Sequence, residues 1–170
     1  MQHVALLAFD KEKCKPFFDR LTELFYQHHH SEEQNPDEYE KLLYMVKRPY
    51  DNNMLDMIDE WMGLGKREWR EETTREVKLA LYAIRYPDTL LLDSFTAKPR
   101  SDIKRLSSYL HFTHHTYAIW DEDTRKGLEK IGINIPPTEK ADPFIYGAYV
   151  SAIELLKDVA PFTCFLEHDV

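Results

Sequence analysis

From Lys13 to His29 the apolar side chains Phe17, Phe18, Leu21, Leu24 and Phe25 recur every three or four residues. That spacing lines one face of a 3.6-residue helix and does not fit the two-residue alternation of a half-buried strand. The same period returns along most of the chain, so its segments have to bury their stripes against one another. The expected fold class is therefore mostly α: a multi-helix bundle in which residues 1–170 form a single helical domain. Only Val4 to Phe9, VALLAF, is too short to assign, fitting either a strand or the lead-in to a helix.

Punctuation places the helix ends. Pro16 is acceptable in a first turn, and Ser31 to Glu38, SEEQNPDE, breaks the pattern. Asp37 is expected to cap a helix carrying Tyr39, Leu42, Leu43 and Val46, which stops near Pro49. Asn52 or Asn53 caps the next, whose stripe of Met54, Leu55, Ile58, Trp61 and Met62 ends at Gly63 and Gly65. Lys66 to Tyr86 reads as one long amphipathic helix ended by Pro87, and Asp88 to Phe95 as another helical turn or two. Ser101 is expected to cap a helix through Phe112, with Ile103, Leu106, Tyr109 and Leu110 inward. Asp121 starts a helix to Ile131, and Asp142 with Pro143 opens the last one, Phe144 to Val159.

Composition bears on compartment and partners. With 43% hydrophobic and 13% aromatic residues and only 5 glycines, the chain can bury a core without staples. Two cysteines, Cys14 and Cys164, do not make a disulfide framework, which favours a reducing compartment; with no long apolar run, a cytoplasmic location and no membrane partner are expected. A formal charge of -8 argues against sequence-blind coating of nucleic acid, which depends on many basic side chains releasing counterions.

The basic residues that are present cluster. Lys98, Arg100, Lys104 and Arg105 lead into a helix N-terminus, and Arg125 and Lys126 follow on the next helix. Backbone N–H groups and the helix dipole add to such a field and would suit a phosphate; ordinary surface charge is the plainer alternative. Phe112, Tyr117 and Trp120 flank the same region and could stack on an extruded base, or simply pack a core. His111, His114 and His115, like His28, His29 and His30, lack the spacing of a known metal motif. No metal or other cofactor is expected, and His111 at the end of an apolar helix suits a hydrogen-bonded core position. Neither a nucleophilic triad nor a GxxxxGK loop is present.

Leu110-His111-Phe112, then Tyr117-Ala118-Ile119-Trp120-Asp121, then Arg125 resembles the core of the helix-hairpin-helix DNA glycosylase superfamily. With the paired Tyr146 and Tyr149, the resemblance covers Lys78 to Leu156. It implies that Asp121 sits where the superfamily keeps its catalytic aspartate, at a helix N-terminus, where a carboxylate can stabilise a developing oxocarbenium ion. An equally good reading makes Asp121 the cap of its helix. Lys104 is the loose positional match to the family's catalytic lysine, and Arg100, Arg105, Arg125, His111, Tyr117 and Trp120 become the expected substrate-binding residues.

The chain departs from the family at Phe95 to Asp102, FTAKPRSD, where a glycine-rich hairpin should lie, and two cysteines cannot hold an iron–sulfur cluster. The resemblance is closer to phage-associated base-modifying branches, such as the alpha-glutamyl/putrescinyl thymine pyrophosphorylase group, and so implies DNA modification rather than duplex repair. The expected function is a nucleotide- or DNA-base-binding protein acting through Asp121. The competing expectation is a catalytically inactive module whose acidic surface engages a protein partner.

Overall fold

A computed structural model of the chain describes residues 11–20, 36–46, 53–83, 102–114 and 117–160. Within them lie seven helices: α1 Lys11–Phe18, α2 Pro36–Val46, α3 Met54–Trp61, α4 Glu71–Ala83, α5 Ile103–Thr113, α6 Glu122–Lys130 and α7 Pro143–Val159. Among the described residues there is no strand, and the one extended pairing is an isolated antiparallel bridge between Asp102 and Lys140. The mostly α expectation holds.

α5 is the helix around which the others gather. It packs against α2, α3 and α4, and Ile103, Leu106, Ser107, Ser108, Tyr109, Leu110 and Phe112 are all buried. A helix covered on so many sides is an interior one. Its two buried serines are satisfied locally: Ser107 and Ser108 Oγ both donate to the Lys104 carbonyl, at 3.0 and 2.7 Å. Leu42 and Val46 of α2, Leu55 and Ile58 of α3, and Val77 and Leu81 of α4 complete this side of the core. An aromatic layer joins it, with Phe112 5.5 Å from Tyr39 and 5.3 Å from Trp61 between ring centroids.

A charged cluster is buried beside that core. Asp59 on α3 accepts from Tyr109 Oη at 2.6 Å and from Arg67 at 2.5 Å. Arg105 Nε lies 3.3 Å from the same carboxylate, and Arg67 also reaches Asp56 at 2.5 Å. One buried acid thus holds two guanidiniums, the arrangement a buried charge requires. It also explains a correction: the expected helix from Lys66 begins only at Glu71. Residues 64–70 run without helix, which lets Arg67 fold back onto α3 and Trp69 pack edge-on against Tyr109.

Other boundaries shift for local reasons. α2 starts at Pro36, whose missing N–H costs nothing in a first turn, so Asp37 lies inside the helix rather than capping it. Asp102, not Ser101, caps α5, its Oδ1 accepting the Arg105 N–H at 2.9 Å. Pro16 sits in the second turn of α1, not the first, because α1 begins at Lys11; α1 ends at Phe18 with Asp19 and Arg20 in a turn, so the helix expected from Lys13 to His29 stops early, and residues 21–29 lie outside the described residues, as do VALLAF and Asp88 to Phe95. Asn53 precedes α3 as expected but makes no side-chain cap bond. At the C-terminal ends, Gly63 (φ 61°) and Gly132 (φ 92°) take the left-handed conformation. The Leu64 N–H then reaches Asp59 O at 2.7 Å and the Ile133 N–H reaches Leu128 O at 2.9 Å, closing each helix with a Schellman turn.

Candidate ligand cavity beside Asp121

Residues 117–120 bend at Tyr117, form neither helix nor strand, and enter α6 at Asp121. Such a segment has no ladder of its own, so its buried polar groups need partners from elsewhere. Side chains supply them in succession. His111 Nδ1 lies 2.8 Å from Tyr117 O, Tyr146 Oη donates to Ala118 O at 2.8 Å, and Tyr149 Oη donates to Ile119 O at 3.0 Å. The Trp120 N–H donates to Ser107 Oγ at 2.8 Å. Because a carbonyl can only accept, His111 carries its proton on Nδ1, which leaves Nε2 to accept from Tyr39 Oη at 2.8 Å.

Aromatic packing fixes the same segment. Tyr117 stacks on Tyr146 with centroids 6.3 Å apart and planes 6° apart, while Trp120 lies 4.8 Å from Tyr149. Burial pushes the Tyr146 and Tyr149 phenols above their ordinary range. His111, Tyr117 and the body of Trp120 are therefore held by the scaffold, with Tyr117 1% and Trp120 4% exposed.

Asp121 emerges from this strap as the cap of α6. Its Oδ2 accepts the Thr124 N–H at 2.7 Å and the Thr124 hydroxyl at 2.9 Å. Across a gap stands the start of α5, and the loop 137–139 closes the third side, tied down by Ile103 N–H to Glu139 O at 3.2 Å. The space between is a cavity of about 500 Å³. Lys104, Trp120 and Asp121 line it together with Asp102, Glu122 and Glu139, and Ile103 and Pro137 add apolar wall.

The structure thus brings Lys104, Trp120 and Asp121 to one cavity and sends the arginines elsewhere. Arg105 donates to the carbonyl of Gly65 and pairs with Asp59. Arg125 is 7% exposed: it donates to Glu122 at 2.8 Å, to Glu129 at 3.4 Å and to Ile135 O at 2.8 Å, tying the 131–137 connector to α6. Neither arginine lines the cavity, and Arg100 lies outside the described residues. Two internal ion-pair systems thus take up side chains that the sequence groups into one positive patch.

Sequence reasoning missed Asp102, Glu122 and Glu139 as lining residues, since the loop carrying Glu139 meets α5 only in three dimensions. Ser107 had a signal, a small polar residue inside an apolar helix face. Among the described residues no group of three or more His, Cys, Asp or Glu is set to hold a metal ion. His114 reaches the Leu81 carbonyl at 3.1 Å, and His28, His29, His30 and His115 lie outside the described residues. No helix among the described residues is long and apolar enough to cross a membrane. Comparison with protein-family models, curated proteins and solved structures finds no match to this chain.

Proposed function

We propose that the chain is a nucleotide- or DNA-base-binding protein whose ligand seat is the cavity between the starts of α5 and α6, with Asp121 facing the bound base. One observation carries this reading: Lys104 and Asp121 line a single cavity of about 500 Å³ with Trp120. That volume lies in the range of small-molecule sites. The likeness of Leu110-His111-Phe112 and Tyr117 to Asp121 to the helix-hairpin-helix DNA glycosylase superfamily points the same way. In such a site the Asp121 carboxylate would stabilise positive charge developing on the sugar of a bound nucleoside, with Lys104 as the cation beside it.

The test is incubation with DNA carrying modified thymines, followed by mass spectrometry of released or altered bases. Wild-type protein should change the base, and Asp121→Asn should stop turnover while leaving binding intact. Unchanged turnover in Asp121→Asn would remove that carboxylate from the mechanism.

A second reading has its own support. The carboxylate of Asp121 already caps α6, and the guanidiniums of Arg105 and Arg125 serve internal ion pairs. In a chain of net charge -8, that suits a catalytically silent module engaging a basic protein partner. Salt-sensitive binding to polylysine, with no response to any nucleoside or DNA, would favour it.

A further inference from the structure

The lining of the Asp121 cavity points to a ligand without phosphate, and this inference rests on the base-binding reading above. Four acidic residues, Asp102, Asp121, Glu122 and Glu139, line the cavity against one basic residue, Lys104. Two helix N-termini open onto it, and each would attract an anion. Each already carries a carboxylate cap from within the chain. Asp102 Oδ1 takes the Arg105 N–H at 2.9 Å at the start of α5, and Asp121 Oδ2 takes the Thr124 N–H at 2.7 Å at the start of α6. A phosphate at either helix start would sit against the capping carboxylate and among the remaining acidic residues.

The guanidiniums that could have offset that repulsion are turned away. Arg125 neutralises Glu122, its Nε 2.8 Å from the carboxylate, and Arg105 is held by Asp59. Lys104 and Glu139 line the cavity with Asp121, whose bonds to Thr124 both fall on Oδ2. These groups match a neutral base edge, with N–H groups donating to carboxylate oxygens and a ring or carbonyl acceptor taking the Lys104 proton. We propose that the cavity binds a nucleoside or free base through its edge and discriminates against the phosphorylated form.

The experiment measures dissociation constants by calorimetry for thymidine, guanosine, uridine, adenosine and cytidine, for their 5′-triphosphates, and for inorganic pyrophosphate, at one fixed ionic strength. The expected result is that at least one nucleoside binds at least about ten-fold more tightly than its triphosphate, and that pyrophosphate does not bind. Glu139→Gln should narrow the gap by relieving repulsion, and Lys104→Ala should weaken the nucleoside several-fold. A triphosphate that binds as tightly as its nucleoside, or tighter, overturns this inference and leaves base binding standing. If neither class binds, base binding in this cavity fails and the inference falls with it.

Discussion

Ser107 Oγ receives the buried N–H of Trp120 at 2.8 Å and passes its own proton to the carbonyl of Lys104 at 3.0 Å. One hydroxyl therefore joins the two walls of the cavity. It uses a donor and an acceptor at once, which a methyl group cannot do. Ser107→Ala leaves a buried N–H unpaired and should cost about 1–3 kcal/mol. The melting temperature should fall by about 2–4 °C for each kcal/mol lost. Ser107→Thr keeps the hydroxyl but adds a methyl in a packed interior, so partial rescue separates the hydrogen bond from the packing. A melting temperature unchanged in Ser107→Ala would show that the bridge contributes nothing.

Asp121 holds two roles that substitution can pull apart. Asparagine is as good a cap as aspartate, because its side-chain carbonyl can accept the Thr124 N–H, whereas alanine cannot. Asp121→Asn should match wild type in thermal melts within a few tenths of a kcal/mol, and Asp121→Ala should lose about 1 kcal/mol. If both variants turn over the modified DNA as wild type does, Asp121 is a structural cap alone. If Asp121→Asn keeps stability and loses turnover, the carboxylate is chemical.

The buried ion cluster gives a larger effect far from the cavity. Asp59 is the acid between Arg67 and Arg105, and all three side chains are nearly inaccessible, at 8%, 9% and 14%. Asp59→Ala would take the shared acid from two guanidiniums, leaving Arg67 with Asp56 and Arg105 with the Gly65 carbonyl, and breaking a buried pair by removing one partner costs up to about 3–5 kcal/mol. Denaturant melts should show a large share of the chain's stability gone, since domains are stable by only about 5–15 kcal/mol in total. Arg105→Met should cost much less, because Asp59 keeps Arg67 and the Tyr109 hydroxyl. Equal losses in the two variants would contradict the assignment of Asp59 as the shared partner.

That cluster marks where reading the chain as a string stops working. Helix identity follows from local rules, so the caps Asp121 and Asp142 and the glycine stop at Gly63 are legible from neighbours a few residues away. The start of α4 is not, because the amphipathic period continues back to Lys66 while Arg67 is drawn out of the helix by Asp56 and Asp59. The cavity divides in the same way. Lys104 and Asp121 belong to recognisable helix starts, but whether an arginine faces solvent or an internal carboxylate depends on a partner distant in sequence. Arg105 and Asp59 are such a pair, and their meeting removes Arg105 from the positive patch, while Arg125 is taken by Glu122 and Glu129 of its own helix.

Alkaline pH should unfold the protein through its buried phenols. Burial pushes Tyr39, Tyr146 and Tyr149 up, and burial together with the hydrogen bond to Asp59 pushes Tyr109 up. An unfolded tyrosine releases its proton near pH 10. As pH rises through that value the unfolded chain loses protons that the native chain still holds, so unfolding releases protons and stability declines with pH. The contribution of these phenols is fully present below about pH 10 and is lost as pH climbs toward their native values. Urea melts from pH 8 to 12 should therefore show a midpoint insensitive to tyrosine ionisation at first, then falling steeply above about pH 10. The phenolate absorbance of these four should rise together with the loss of helical circular dichroism. Tyr146→Phe should flatten the alkaline limb, because it removes one of the retained protons. If all the tyrosines ionise near pH 10 while the helical signal persists, the phenols are accessible and the strap they hold at residues 117–120 is not closed.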